Sequence, residues 1–315
     1  MLALLFPGQG SQEVGMGRDV YEASAAAREV YSAADDALGF SLSTLCFEGP
    51  ERELLQTEIQ QPAILTTGIA LLRALQEKTE LIPAYNAGHS LGEYTALVAS
   101  GALTFADAVR TVHARGRFMQ QAVAEGRGAM AAVLGSTPEE VQAACERARI
   151  ETGKVVSPAN FNAPRQTVIS GDAVAVEVAC SRARQEGARR TIPLAVSAPF
   201  HCSLMRPAAD MLALELKRLR FEDPRPPVVN NVDAAPIEEG VRLVETLTEQ
   251  VTSPVRFTGM IQRMLELGVD RFLEIGPGRV LTGLVGRIAA RVGRASFGRQ
   301  SELAAAVEFA GGKGV

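Results

Sequence analysis

The sequence predicts a mixed α/β protein whose large domain, built on a parallel sheet, is interrupted by a smaller domain. Short apolar runs that end at glycine-containing turns, as at residues 2 to 6 and 271 to 275, are typical of buried parallel strands. Residues 126 to 196 instead show the order β-α-β-β-α-β. Within the 315 residues we therefore expect a discontinuous large domain over 1–125 and 197–315 and a small domain over 126–196.

The small domain is predicted from four strand-like runs and two helical segments. The runs cover residues 129–134, 155–161, 166–170 and 190–196. The first helix begins at Thr137 with a capping-box-like opening through Glu140, and the second ends before Gly187. Strands and helices in this order are those of a ferredoxin-like unit.

The composition is that of an ordinary globular protein and excludes several classes. Hydrophobic residues make up 47% and charged residues 22%, and the net charge of -4 comes without the basic stripe of a nucleic-acid-binding protein. No run approaches the about 18 apolar residues of a membrane span, and the apolar N-terminus reads as a strand, not a signal peptide. The four cysteines lack C-x-x-C spacing. We therefore expect a cytoplasmic monomer without metal, disulfide, nucleic-acid partner or membrane partner.

The large domain carries the motif G-x-S-x-G at residues 88 to 92, between a short apolar run and a helical segment over 91 to 100. In α/β-hydrolase-like folds this strand-turn-helix context presents the serine as a nucleophile on a strained turn. Gly88 and Gly92 leave room where strand and helix meet. The motif also occurs by chance, and Ser90 could then be a plain helix-capping residue. Ser90 is the candidate nucleophile of an α/β-hydrolase-like domain.

Arg115 lies on the wrong side of a predicted helix for a charged residue. The helix covers residues 104 to 125, and helical periodicity places Arg115 among Val112 and Met119 on its apolar face. A buried guanidinium needs an anion, which is either an internal carboxylate or an anionic ligand. Periodicity alone leaves both possibilities open. His113 falls on the polar side and is predicted to face water.

His201 is the candidate general base among the three histidines. It lies in a loop before a helix and on no apolar periodic face, whereas His89 adjoins Ser90 and should point away from it. Cys202 beside His201 suggests a thiol nucleophile, but neighbouring side chains diverge in an extended loop.

Two asparagines form a further polar pair. Asn160 and Asn162 flank Phe161 at alternate positions of a predicted strand, so both amides point to one face. The alternative is a strand edge that faces water.

The motifs together closely resemble those of the malonyl-CoA:acyl-carrier-protein transacylases, the acyltransferases of fatty-acid and polyketide synthesis. The resemblance covers nearly the whole chain, and chance agreement at these spacings is implausible. The matching motifs, in chain order, are Phe6-Pro7-Gly8-Gln9-Gly10-Ser11-Gln12, Gly88-His89-Ser90-Leu91-Gly92-Glu93-Tyr94, Ala114-Arg115-Gly116 with Met119-Gln120, Asn160-Phe161-Asn162 with Pro164, Pro199-Phe200-His201 and Glu274-Ile275-Gly276-Pro277-Gly278.

The resemblance implies catalytic roles at individual positions. Ser90 would accept the malonyl group as an ester, and His201 would deprotonate Ser90 and then protonate the departing thiolate of coenzyme A. Gln250, which no spacing singles out, would orient His201 through its backbone carbonyl. The backbone N–H groups of Gln9 and Leu91 would form the oxyanion hole.

The resemblance also implies the substrates and how they are bound. Arg115 would pair with the free carboxylate of malonyl-CoA, and Asn160 and Asn162 would contribute to the substrate site. Phe200 beside the base would crowd a substituent on the α-carbon, so we expect malonyl in preference to methylmalonyl. The acyl acceptor would be an acyl carrier protein, and no bound cofactor would be needed.

Two other functions are compatible with parts of the pattern. A serine hydrolase or thioesterase would share the G-x-S-x-G turn, but that fold usually orients its histidine with an acidic residue between serine and histidine in the chain. A non-catalytic scaffold that binds an acyl carrier protein would need neither Ser90 nor His201. The fate of a malonyl group offered to the protein distinguishes all three.

Overall fold

Ten strands form two sheets in the computed structural model, which describes residues 1–196 and 198–311. The expected domain limits at 197 and 315 fall outside these ranges. The strands are β1 (Leu2–Phe6), β2 (Tyr85–Gly88), β3 (Gly128–Leu134), β4 (Val156–Ala163), β5 (Gln166–Asp172), β6 (Arg190–Pro193), β7 (Val228–Val229), β8 (Pro236–Ile237), β9 (Arg271–Ile275) and β10 (Gly293–Phe297).

Fourteen α-helices connect these strands in the described ranges, and none of them is long and apolar enough to cross a membrane. They are α1 (Arg18–Ala23), α2 (Ala25–Leu38), α3 (Leu42–Glu48), α4 (Glu51–Leu54), α5 (Thr57–Gln76), α6 (Gly92–Ala99), α7 (Phe105–Gln121), α8 (Pro138–Thr152), α9 (Ala173–Gln185), α10 (Arg206–Leu216), α11 (Leu243–Gln250), α12 (Phe257–Glu266), α13 (Val280–Ile288) and α14 (Leu303–Ala310).

The larger sheet has the strand order β10-β9-β1-β2-β7-β8 and is parallel except for the last pair. Strand β1 is central and fully buried because alternate residues face helices on both sides. Leu2, Leu4 and Phe6 pack into one apolar core, and Ala3 and Leu5 pack into another. The prediction of a parallel sheet in an α/β fold is confirmed.

The smaller sheet is antiparallel and has the order β4-β5-β3-β6. Its elements follow one another as β3, α8, β4, β5, α9 and β6, which confirms the predicted β-α-β-β-α-β order. Ala131 and Val133 of β3 face a core shared with α8 and α9. Met130 and Ala132 face the opposite side and join the main core of the larger sheet. The smaller sheet therefore packs against the larger unit through this face.

Main-chain hydrogen bonds join the smaller sheet to the larger unit along β4. The Phe161 N–H donates to the Val255 carbonyl at 2.8 Å, and the Val255 N–H donates to the Ala159 carbonyl at 2.8 Å. The Thr258 hydroxyl adds a bond to the Phe161 carbonyl at 3.1 Å. This junction lies at one side of the cleft between the sheets.

Pro62 lies inside α5, whereas the preference of proline for the first helical position predicts a helix that begins at Pro62. An internal proline leaves the carbonyl four residues earlier, here that of Glu58, without its helical donor. His113 supplies that donor, because its Nδ1 lies 2.8 Å from the Glu58 carbonyl oxygen. The expectation that His113 faces water was therefore wrong. Gly116 permits the close approach of α7, since a Cβ there would lie 2.6 Å from Glu58 Cα.

We expect His113→Ala to lower the free energy of unfolding by about 1–2 kcal/mol, because it leaves the Glu58 carbonyl unpaired in a half-buried place. Urea denaturation of a double-mutant cycle measures this loss. In the Pro62→Ala background a helical N–H reaches Glu58, and the same substitution should cost less. Equal losses in both backgrounds would mean that His113 acts through packing alone.

Candidate active site

The chain reverses sharply between β2 and α6, and Ser90 stands at that turn. Its φ of 53° lies in the left-handed region, which is strained for a residue other than glycine. A Cβ at Gly88 would lie 2.0 Å from the backbone of Gly92, and a Cβ at Gly92 would lie 2.0 Å from the Phe6 carbonyl oxygen. The predicted need for both glycines is confirmed. The turn places the Ser90 hydroxyl ahead of the first turn of α6.

Side chains hold both backbone groups of Ser90. The Ser90 N–H donates to Asn231 Oδ1 at 2.6 Å, and the Ser90 carbonyl accepts from Gln250 Nε2 at 2.9 Å. Asn231 Nδ2 also donates to the Gly88 carbonyl at 2.7 Å. The strained turn is thus fixed from two distant segments. The sequence analysis did not identify Asn231, which no motif or spacing marks.

Ser90 and His201 form a hydrogen-bonded pair. The Ser90 Oγ lies 2.7 Å from His201 Nε2, and His201 Nδ1 donates to the Gln250 carbonyl at 2.9 Å. The carbonyl fixes the tautomer that leaves Nε2 free to accept the serine proton. Gln250 is the last residue of α11, so its carbonyl is at the negative end of the helix dipole and favours the imidazolium that forms.

His201 is neutral at neutral pH. Burial and, to a smaller extent, the nearby Arg115 cation lower its pKa to about 3, whereas the bond to Gln250 opposes the shift. Cys202 is not placed to act instead, because its thiol is buried and donates to the Pro199 carbonyl at 3.1 Å. The histidine is the available proton acceptor at Ser90.

We expect kcat/KM for acylation of Ser90 to change less than about threefold between pH 8 and pH 5, because neutral His201 can accept a proton throughout. A histidine with the ordinary pKa of about 6.5 would lose roughly 30-fold over this range. Stability should fall as the pH drops below about 6.5, since only the unfolded chain then protonates His201. Single-turnover rate constants separate the two effects, and an acid limb centred near pH 6.5 would contradict the assignment.

Arg115 is buried beside Ser90, with 1% of its surface exposed, as its place on the apolar face of α7 predicted. Its Nη1 donates to Gln61 Oε1 at 2.7 Å, and its Nη2 donates to Gln250 Oε1 at 2.9 Å and to Ser90 Oγ at 3.2 Å. The guanidinium also lies over the Tyr94 ring, 5.6 Å from its centroid.

The partners of Arg115 favour one of the two possibilities that periodicity left open. Neutral amides and a hydroxyl accept its bonds, and no carboxylate of the described residues lies within 4.0 Å of it. Burial lowers the pKa of Arg115, but an arginine remains charged. A buried cation next to a nucleophile, with no carboxylate of the described residues in direct contact, favours an anionic ligand.

A small cavity of about 100 Å³ lies over Ser90 and Arg115. Phe200 and the two methionines Met119 and Met130 form much of its apolar wall, and Phe200 is only 6% exposed. Such a space suits a short acyl group whose far end reaches the guanidinium.

Two of the four predicted oxyanion and asparagine positions line this cavity. Gln9 and Asn160 line it, and the backbone N–H groups of Gln9 and Leu91 donate to none of the described residues. Asn162 lies in an adjoining groove of about 270 Å³, where its Oδ1 accepts from His89 Nε2 at 2.8 Å. His89 thus bonds to Asn162, although it also lines the cavity that holds Ser90.

The arrangement can carry out acyl transfer through a serine ester. A nucleophile bonded to a neutral histidine, an oriented base and free N–H donors at a helix start are the parts that this chemistry requires. No group of three His, Cys, Asp or Glu side chains among the described residues could hold a metal ion.

The chain is similar to known acyl transferases over nearly its whole length. The family model for the acyl transferase domain matches residues 3–292. The malonyl CoA-acyl carrier protein transacylase of Escherichia coli K12 is 47% identical over 307 residues, which are 98% of this chain and 99% of that protein. The corresponding transacylase of Bacillus subtilis is 47% identical over 291 residues, or 92% of this chain and 91% of that one.

Solved structures give the same result. The crystal structure of an acyl carrier protein S-malonyltransferase from Vibrio cholerae has a TM-score of 0.94 at 44% identity, covering 96% of this chain and 99% of that one. A malonyl-transacylase solved in complex with a type II PKS acyl-carrier protein has a TM-score of 0.95 at 45% identity, covering 98% and 99%.

Proposed function

Since the chain belongs to the acyl transferase family, we propose that it transfers the malonyl group of malonyl-CoA to the phosphopantetheine thiol of an acyl carrier protein. The enzyme is a malonyltransferase that supplies extender units for fatty-acid synthesis. It requires two substrates, the coenzyme A thioester and the carrier protein, and no bound cofactor.

The observation that carries this proposal is the placement of Arg115. Its guanidinium lies within hydrogen-bond distance of Ser90 Oγ, at 3.2 Å, and has neutral partners only. An acyl group that ends in a carboxylate supplies the missing anion while its thioester carbonyl reaches Ser90. Malonyl is the short dicarboxylic acyl group that fits a cavity of about 100 Å³.

In the first half-reaction Ser90 Oγ attacks the thioester carbonyl of malonyl-CoA and gives its proton to His201 Nε2. The backbone N–H groups of Gln9 and Leu91 bind the developing oxyanion, which lies near the start of α6. The carbon–sulfur bond then breaks, and His201 returns the proton to the departing thiolate. Malonyl remains on Ser90 as an ester, and coenzyme A leaves as a thiol.

The second half-reaction reverses these steps with the carrier protein thiol as nucleophile. His201 accepts the thiol proton, sulfur attacks the ester carbonyl, and the proton returns to Ser90 Oγ as the ester bond breaks. The Gln250 carbonyl orients His201 in both halves. The kinetics are therefore ping-pong.

The finer fold assignments belong to the same proposal. The large domain, 1–125 and 197–315, is α/β-hydrolase-like, and the small domain, 126–196, is ferredoxin-like. The strand order β4-β5-β3-β6 and the β-α-β-β-α-β succession support the second assignment. We place the enzyme in the cytoplasm as a monomer.

Incubation with malonyl-CoA labelled in the malonyl group tests the function. A malonyltransferase retains the label as an ester that leaves only when an acyl carrier protein is added. Rapid release of free malonate would indicate a hydrolase or thioesterase. A protein that binds the carrier protein and never acquires label would be a scaffold.

Methylmalonyl-CoA should be a poorer substrate than malonyl-CoA by roughly tenfold or more in kcat/KM, because Phe200 crowds the α-carbon in a tightly packed cavity. Competition between the two thioesters measures the ratio. Phe200→Ala should bring the ratio of kcat/KM for malonyl-CoA to that for methylmalonyl-CoA closer to 1. Equal kcat/KM values in the unmodified enzyme would exclude Phe200 as the cause of selection.

A further inference from the structure

Glu93 is a buried carboxyl group behind Ser90 to which the proposed steps assign no role. It lies in α6 with 0% of its surface exposed. Its Oε2 accepts from Gln250 Nε2 at 2.8 Å and from the Asn231 backbone N–H at 3.2 Å, while its Oε1 is buried without a hydrogen-bond partner among the described residues. Burying a carboxyl group costs folding free energy. We therefore look for the function of Glu93 in the two residues that it binds.

Gln250 and Asn231 are also the two residues that hold Ser90. The Gln250 side chain binds the Ser90 carbonyl at 2.9 Å, and the Asn231 side chain binds the Ser90 N–H at 2.6 Å. Glu93 therefore joins the supports of both backbone groups of Ser90. Its bonds oppose relaxation of a turn that is strained at φ 53°.

The hydrogen bond that Glu93 accepts from Gln250 also fixes the direction of the Gln250 side-chain amide. An accepting oxygen must face Nε2, so Oε1 of the same amide faces Arg115, whose Nη2 donates to it at 2.9 Å. The backbone carbonyl of Gln250 meanwhile accepts from His201 Nδ1 at 2.9 Å. Gln250 thus connects the nucleophile and the guanidinium through its side chain and the base through its backbone carbonyl.

We propose that Glu93 is a positioning residue that, through Gln250 and Asn231, holds Ser90, His201 and Arg115 in place for the acyl transfer. This inference rests on the proposed function. The place of the accepting oxygen is the property required, and not the charge. Burial raises the pKa of Glu93 to about 7 against the opposing effect of its bonds to Gln250 and Asn231, so the group needs no full charge at neutral pH.

Two substitutions distinguish the position of the accepting oxygen of Glu93 from its charge. Glu93→Asp keeps the charge but withdraws the oxygen by one methylene, and Glu93→Gln keeps the oxygen in place but removes the charge. We expect Glu93→Asp to lower the single-turnover rate of malonyl loading by roughly ten- to a hundredfold, because buried donors lose their acceptor, and to lower the malonyl-to-acetyl ratio as well. Glu93→Gln should stay within about threefold of wild type.

Ser100→Ala is the matched control, because it removes a buried bond from Asn86 at the far end of α6 and leaves the site untouched. Single-turnover rate constants report folded sites only, so a partly unfolded variant remains informative. A Glu93→Gln variant as slow as Glu93→Asp, or a Glu93→Asp variant that loads malonyl at the wild-type rate, would overturn the proposal. If Glu93→Asp fails to fold, the loading rate of Glu93→Gln alone tests whether the charge of Glu93 is required. A wild-type protein that never acquires malonyl refutes the proposed function instead.

Discussion

Replacing Arg115 by alanine is expected to reduce the malonyl-to-acetyl ratio of kcat/KM by roughly 10² to 10³. The guanidinium is already desolvated and lies beside Ser90, so its pairing with the malonyl carboxylate is not weakened by water. Acetyl-CoA offers no anion and gains nothing from this charge. Rates with both thioesters, measured for wild type and variant, give the ratio.

Two further variants sharpen that comparison. Arg115→Lys should restore the ratio only in part, because an ammonium group lacks the planar fork that binds both oxygens of a carboxylate. Arg110→Ala is the control, since Arg110 lies on the exposed face of the same helix and pairs with Asp107. An unchanged ratio in Arg115→Ala would mean that the arginine only stabilises the fold.

Ser90→Ala is expected to abolish the covalent malonyl intermediate and, with it, transfer to the carrier protein. Ser90 Oγ is the hydroxyl that contacts His201 and stands at the start of α6, so no neighbouring group can replace it. Intact mass spectrometry after incubation with malonyl-CoA detects the intermediate directly.

Cys202→Ala is the matched control for the nucleophile. It removes the thiol next to His201, and because that thiol donates to a backbone carbonyl instead of facing the cavity, the variant should still acquire malonyl. The contrary result is a Ser90→Ala variant that acquires covalent malonyl and loses it when Cys202 is also replaced. That result would mean that the Cys202 thiol is the nucleophile.

Local sequence patterns predicted much of the fold. They failed where a contact between distant segments determines the local structure. Strand β9 follows directly from its apolar run, because burial on both faces of a parallel sheet demands such a run. Pro62 misled because the rule that places proline at helix starts assumes an unpaired carbonyl within the helix. His113, from another helix, pairs that carbonyl.

The same distinction applies to the site. Ser90 could be identified from the sequence because its motif reflects the local geometry of the turn. Arg115 could be identified because a charged residue on an apolar helix face is unusual. Gln250, Asn231 and Gln61 reach the site from distant segments, and polar residues of these types occur throughout the chain. Gln61 lies in α5, Gln250 ends α11 and Asn231 follows β7, and only the packing of these segments around Ser90 brings them together.

The bonds between β4 and Val255 limit where the cleft can widen. Two main-chain bonds and the Thr258 hydroxyl bond tie β4 to the larger unit, and separation at that place would break all three. Leu194 and Val196, which follow β6, line both the cavity over Ser90 and a larger groove beside Gln9. We therefore expect the pantetheine arm, and the carrier protein that bears it, to approach Ser90 through that groove.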